Sequence, residues 1–384
     1  MMFQNKNLKV ALVHDFLVDF GGAERVLEVL CEMFPEAPIY TLLYDKEKVC
    51  GKFEGRDIHT SFLQKFPRFL RRRKQWLLPL MPVAPETFDL RDFDLVLSSS
   101  GAWCKGIITR LDTIHIAYVH SPMRFIWDYN SEKYLKENRK QKFRFFMRPF
   151  LTYLRIWDRQ AADRPDYLIA NSGYTQKRIE KYYRRKSEVI YPPIYMERET
   201  YNVEREKNIP RSTLHAPHHF LIVSRLSPYK KVDLAVEVFN KLGLPLVVIG
   251  EGSQKKYLQK IAKENVKILG WKSDEEVVGY MQNARAFIFP ALDDFGLTMA
   301  EVMSQGVPVV AYRGGGALEI IKEGINGEFF DAQNADALAG VVQKIIANEK
   351  KYNQDEIKKS SEKFSKDEFK RKLGKFIIKV ISNL

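Results

Sequence analysis

Residues 285–316 read RAFIFPALDDFGLTMAEVMSQGVPVVAYRGGG. The short apolar run 286–289 has the length and composition of a buried strand, the segment from Leu297 to Gln305 has helical character, and 307–311 is a second apolar run. Strand, turn, helix, strand in so few residues is the signature of a parallel α/β unit. The turn at Phe295-Gly296-Leu297-Thr298 then falls at the C-terminal edge of a strand and the N-terminus of a helix, where open α/β sheets bind ligands. Asp293 and Glu301 stand eight residues apart around it. Backbone N–H groups of such a turn hold an anion or hydroxyls, and flanking carboxylates accept hydrogen bonds from vicinal diols. Together these suit a nucleotide sugar.

The same alternation extends in both directions. Toward the N-terminus, strand-like runs at 10–14, 39–44, 95–98, 114–119, 167–170 and 189–191 are separated by helical patterns. A polar, charged stretch at 196–218 contains no apolar run and reads as a linker. Runs at 220–223, 245–249, 266–269, 286–289 and 307–311 make a second series. The chain of 384 residues therefore divides into a first Rossmann-like domain over 1–195, a linker over 196–218 and a second Rossmann-like domain over 219–368.

Composition narrows the class. Hydrophobic residues make up 45% of the chain, enough for two cores, but no run of about 20 apolar residues suggests a membrane span or a leader. Cys31, Cys50 and Cys104 lack metal-ligand or redox spacing and read as small buried hydrophobes in a reducing cytoplasm. His215, His218 and His219 have no carboxylate or cysteine beside them, so no metal site is expected. The net charge of +14 lies mostly before about residue 217. It concentrates in KFPRFLRRRK (65–74), which leads into WLLPLMPVA, and in 139–159, where basic residues alternate with Phe143, Phe145, Phe146, Phe150, Tyr153 and Trp157. Cations interleaved with rings suit an anionic membrane surface. The alternative is a basic helix packing its aromatic side on the core. No nucleic-acid recognition motif accompanies the charge, so nucleic acid is not an expected partner.

Three further segments carry candidate chemistry. In VSRLSPYKK (223–231), Arg225 and Lys230 follow a strand and precede a helix, where fixed cations neutralise a diphosphate. In HDFLVDFGGAER (14–25), Gly21 and Gly22 let the backbone approach phosphate or sugar at a helix N-terminus, and Asp15 is a candidate for contacting an acceptor. In YVHSPMRFIWD (118–128), His120 ends a strand, where an imidazole can hydrogen-bond a hydroxyl. Asn171-Ser172 ends another strand, and Trp271 lies in a loop suited to a nucleotide base.

These segments resemble retaining glycosyltransferases of family 4. The likeness covers most of the chain through SSSGAWCKG (98–106), HIAYVHSPMRFIWD (115–128), ANSGYTQKRIEKYY (170–183), VIYPP (189–193) and SRLSPYKKVDLAVE (224–237), as well as the opening stretch. The family motif normally has Glu at both carboxylate positions, so Asp293 is a departure. Lys231 stands where a Gly is common. The resemblance implies the GT-B fold, two Rossmann-like domains facing across a cleft, with part of 369–384 crossing back onto the first. It implies that Arg225 and Lys230 grip the donor diphosphate, that His120 and Asp293 contact the sugar, and that Glu301 holds the ribose. Implied with these are metal-independent transfer without a cofactor, GDP-mannose as donor and a lipid-linked saccharide as acceptor, at the cytoplasmic face of a membrane in surface-polysaccharide synthesis. A UDP-sugar donor and an inactive nucleotide-sugar-binding or membrane scaffold stay open as alternatives.

Overall fold

The computed structural model describes residues 8–49, 51–128, 141–195 and 219–382, and for 141–147 it describes the backbone alone. The linker 196–218, with His215 and His218, and Cys50 lie outside these residues. By its contacts the chain forms two units, Met1–Pro193 with Phe369–Leu384, and Ile194–Glu368.

The first unit is built on a wholly parallel sheet of seven strands: β1 (Val10–His14), β2 (Ile39–Thr41), β3 (Ile58–Thr60), β4 (Leu95–Ser100), β5 (Ile114–Val119), β6 (Tyr167–Ala170) and β7 (Glu188–Val189), in the order β3-β2-β1-β4-β5-β6-β7. Every residue of β1, β4 and β5 is buried. Covered on both faces, these strands read as continuous apolar runs without alternation. The exception is the Ser98-Ser99-Ser100 end of β4, where each buried hydroxyl has a partner: His115, His120 and Asp15 respectively. Helix α1 (Gly22–Met33) packs Val26, Leu27, Val29, Leu30 and Cys31 on the sheet.

The C-terminal helix belongs to this unit too. In α8 (Lys366–Ser382; α2 to α7 are introduced below), Phe369, Leu373, Ile377 and Val380 recur at helical spacing and join the core formed by β1, β4 and α1. Phe369 meets Tyr118 edge-on at 5.8 Å, and Lys370 pairs with Glu32 at 2.8 Å.

The second unit carries a parallel sheet of six strands: β8 (His219–Val223), β9 (Leu246–Ile249), β10 (Val266–Gly270), β11 (Ala284–Phe289), β12 (Val309–Tyr312) and β13 (Gly327–Phe330), ordered β10-β9-β8-β11-β12-β13. Helices α5 (Val232–Leu242) and α7 (Ala335–Ala347) cover it with Val236, Phe239, Leu338, Val342 and Ile345. The sequence reading did not anticipate β3 or β13, and it placed at 189–191 the strand that the structure forms at Glu188–Val189. Among the described residues no helix is long and apolar enough to cross a membrane, and Cys31 and Cys104 are buried free thiols.

Candidate functional site

In each sheet the strand order reverses once, between β1 and β4 in the first unit and between β8 and β11 in the second. Loops leaving the two strands at such a point diverge and open a crevice at the sheet edge. The loops that carry Asp15, Gly21 and Gly22 after β1, Arg225 and Lys230 after β8, and Asp293 after β11 are such loops, whereas His120, Ser172 and Trp271 follow β5, β6 and β10.

In the second unit, the loop after β8 carries Arg225, exposed, and then a short turn of 3-10 helix, Pro228–Lys230. The loop after β11 carries Asp293 and leads into α6 (Leu297–Ser304). Lys230 is mostly buried. Its ammonium is paired with the Asp293 carboxylate and lies 5.0 Å from the Tyr229 ring and 5.7 Å from that of Phe289. Lys231 caps the 3-10 turn in the left-handed region at φ 54, which accounts for glycine being common there. The Asp293 turn is latched from behind by the glycines after β12. Gly316 N–H donates to the Asp293 carbonyl at 3.0 Å, and a Cβ on Gly315 would fall 2.2 Å from that same oxygen. Gly296 caps α6 at φ 90, and a Cβ there would meet Met299 at 2.3 Å. Phe295 is buried against Phe364, so its ring is core and only its backbone faces the turn. Leu297 and Thr298 stand half-buried in the first turn of α6, and Glu301 is buried one turn on. Trp271, after β10, is 68% exposed, and its backbone N–H donates to Glu251 Oε1 at 3.1 Å. The structure thus gathers Arg225, Lys230 and Asp293 around the reversal, with Glu301 on the helix behind them. The sequence reading passed over Asp294, buried in the same turn.

In the first unit, α1 starts at the end of the loop that follows β1. Gly22 is exposed, and Gly21 N–H donates to Glu24 at 2.9 Å, half of a capping box whose other half a glycine lacks the side chain to supply. Asp15, read from sequence as an acceptor contact, is buried and accepts from the backbone N–H groups of Gly101, Ala102, Trp103 and Cys104 at 2.6 to 3.0 Å, and from Ser100 Oγ at 3.2 Å. Its carboxylate therefore folds the loop after β4 around itself and has no lone pair aimed outward. The same loop is tied down at its far end. The buried Lys105 ammonium donates to the Ala102 carbonyl and pairs with Asp158 at 2.5 Å, while Asp158 also accepts from Trp127 at 2.6 Å and Tyr183 at 2.9 Å. Both of these hydrogen bonds fall on Oδ2, and Oδ1 faces the Lys105 ammonium as its ion-pair partner. Ser172 is likewise turned inward. It caps α4 (Gly173–Tyr183), accepting from Thr175 N–H at 2.9 Å.

His120 follows β5 directly and shares the Ser99 hydroxyl, at 2.8 Å, with His14, at 3.1 Å. Burial above all, and the neighbouring His14 next, push the His120 imidazole down to about 4, so it is neutral at pH 7. Burial, the largest single influence, raises the Glu24 carboxyl, but the hydrogen bond and charge interaction with His14, its backbone hydrogen bond and His120 together outweigh it and leave the carboxyl below the ordinary range.

The basic segments divide. Around α2 (Arg68–Arg72), Arg68, Phe69, Arg72 and Arg73 line a hollow of about 510 Å³, with Phe69 63% and Trp76 59% exposed. Arg73 lies over the Trp76 ring at 5.7 Å. Arg71, by contrast, turns back to the Phe66 carbonyl. Along α3 (Gln141–Ala161), Leu151, Leu154 and Trp157 are core, while Tyr153 and Ile156 face outward. The side chains of Phe143, Phe145 and Phe146 are outside the described set.

Residues 20–198 match the family model "Glycosyltransferase Family 4", and 204–364 match "Glycosyl transferases group 1". The chain is similar to an uncharacterized glycosyltransferase of Methanocaldococcus jannaschii, 23% identical over 89% of each chain. A GDP-mannose-dependent alpha-mannosyltransferase of Corynebacterium glutamicum is 29% identical over 28% of this chain and 26% of that one. Among solved structures, Anabaena HepE in complex with UDP superposes with a TM-score of 0.71 at 17% identity, covering 98% of this chain and all of that one.

Proposed function

The chain is a GT-B glycosyltransferase of the group 1 and family 4 type, and from that premise we propose that it moves mannose from GDP-mannose, with retention, to a lipid-linked saccharide at an anionic membrane surface. The observation that carries the proposal is the grouping of Arg225, Lys230 and Asp293 on the two loops that part at the strand reversal of the second sheet.

The roles follow from the groups present. Arg225 and Lys230 neutralise the donor diphosphate, which grows more negative as the glycosidic bond stretches. Lys230 must exchange Asp293 for phosphate, and Asp293 is then available to sugar hydroxyls. Glu301 takes the ribose diol, the exposed Trp271 ring stacks on the base, and His120 hydrogen-bonds a hydroxyl of the transferred sugar. Transfer is on the front face. The C1–O bond to the diphosphate breaks as the acceptor oxygen bonds C1 from the same side, and the acceptor's proton passes to the leaving phosphate oxygen. A double displacement would need a carboxylate behind C1. Asp293 already has the hydroxyl-binding role. Asp15 and Ser172 shape the first unit's edge and do not bind substrate. The hollow between Arg68, Arg72 and Arg73 suits a lipid phosphate, with Phe69 and Trp76 entering the interface beside it.

The donor base is the finer part of the reading. The Corynebacterium relative supports GDP-mannose; the UDP held by the Anabaena protein supports a UDP-sugar as the second candidate. Incubating the protein with a panel of nucleotide sugars and membrane-extracted acceptor, with and without EDTA, tests both. Expected are an α-mannosyl product and activity that survives EDTA. Product from a UDP-sugar alone would replace the donor, loss in EDTA restored by Mn²⁺ would overturn neutralisation by Arg225 and Lys230, and no product from any donor would leave an inactive scaffold.

A further inference from the structure

His14 and His120 share one hydroxyl. Their strands lie on either side of β4, with His14 opposite Ser99 in register, so Ser99 Oγ stands 3.1 Å from His14 Nδ1 and 2.8 Å from His120 Nε2. All three groups are at the strand ends beneath the first unit's motif loop, and His14 and Ser99 are buried. A hydroxyl has one proton, and a neutral imidazole has one N–H and one lone pair. Ser99 can therefore donate to one ring only, and the other ring must donate to it. The far side of His14 decides which. Its Nε2 lies 3.4 Å from Oε1 of Glu24, whose Oε2 is already taken by Gly21 N–H. A carboxylate only accepts, so His14 must carry its proton on Nε2, which leaves Nδ1 bare to receive the Ser99 hydroxyl proton. Ser99 then has only lone pairs to offer His120.

We propose that Glu24, His14 and Ser99 are positioning residues that lock His120 in the Nε2–H tautomer, so that its Nδ1 is always a hydrogen-bond acceptor and selects a hydroxyl proton on the ligand. The functional meaning of that acceptor rests on reading His120 as a sugar contact; the tautomer itself does not. The charged and titratable groups that bear on His120 are His14, Glu24 and Asp15; burial first and His14 next hold the ring neutral at pH 7, against the opposing pull of the Glu24 and Asp15 carboxylates. A neutral ring held as an acceptor cannot serve as the proton donor to a leaving group, which agrees with the acceptor's proton ending on phosphate.

Histidine side-chain ¹⁵N spectra of the full chain read the tautomer directly, with His120 assigned by the signals lost in His120→Gln. The wild type is expected to show a protonated Nε2 and a bare Nδ1 at His120. In Glu24→Gln the amide oxygen keeps Gly21 N–H and the amide NH₂ faces His14, so each donor along the chain reverses. His120 should then appear as Nδ1–H, and transfer should fall about tenfold or more, the cost of meeting a hydroxyl donor with a donor. Ser99→Ala should release the lock and give averaged His120 shifts; it decides the matter if Glu24→Gln unfolds. A wild-type Nδ1–H at His120, a His14 protonated on both nitrogens at pH 7, or an unchanged tautomer in a folded Glu24→Gln would each overturn the proposal. The expected spectra with no transfer from any nucleotide sugar would uphold the relay and remove the glycosyl-transfer role of His120.

Discussion

Lys231 holds a side chain at φ 54, a conformation that crowds Cβ against the backbone and that glycine adopts freely. Lys231→Gly should stabilise the second unit by about 1 kcal/mol in urea unfolding; no gain would show that the lysine's own contacts offset the strain. Lys230 and Arg225 have the opposite prediction. Each mutated to Ala should lower turnover by about 10²-fold or more with the fold intact, as loss of a charge-stabilising group at a developing anion does; near-normal turnover in either would remove it from the diphosphate. The placement of Lys230, Asp293 and Glu301 was legible because it depends on local spacing around strand-to-helix turns. Asp15 and Glu24 were not. The amides that bind Asp15 lie up to 89 residues away, and the histidine beside Glu24 answers to a serine 85 residues off, so no window of sequence contains either arrangement. One signal for Glu24 was available: it stands at the third position of a helix that starts with Gly-Gly, where a carboxylate turns back to cap.

Helix α8 shows what an element's periodicity can carry. Phe369, Leu373, Ile377 and Val380 recur at three or four residues, a stripe that demands an apolar partner, and the first unit's core supplies it. Phe369→Ala should cost about 3–5 kcal/mol of stability, read by thermal or urea unfolding; a change under about 1 kcal/mol would mean the helix end is not anchored there. The strands that escaped notice lacked such a pattern. Strand β3 is three residues long and largely exposed, with a single apolar side chain. Strand β13 reads Gly-Glu-Phe-Phe, and its buried Glu328 breaks the apolar run. That carboxylate is tolerated because Lys344 reaches it at 2.5 Å and Tyr352 at 2.7 Å, partners contributed by later elements and visible only once the chain is folded. The long central strands were legible since burial on both faces leaves a continuous apolar run, the strongest signal a parallel sheet gives.

At the scale of the whole molecule, two doubly wound sheets each reverse their strand order once, and the loops of Asp15, Arg225, Lys230 and Asp293 leave the strands at those reversals. The alternation of strands and helices made this architecture readable; the strand order, which decides where a crevice opens, comes from the fold. Charge belongs to this scale as well. With Arg68, Arg72 and Arg73 around the hollow and Arg71 turned inward, replacing those three with Ala should weaken binding to anionic vesicles by about 10²-fold, roughly 1 kcal/mol for each cation near the surface; unchanged binding would leave the patch an ordinary solvated face. The central claim is that the loops of the second unit hold a nucleotide-sugar diphosphate by Arg225 and Lys230. Calorimetric titration of wild type and Arg225→Ala with GDP-mannose, a UDP-sugar and a short oligonucleotide tests it most directly. Binding of a nucleotide sugar by the wild type, lost or greatly weakened in Arg225→Ala, is the expected result; binding of the oligonucleotide with no nucleotide sugar bound, or equal binding of the nucleotide sugar by both proteins, would contradict it.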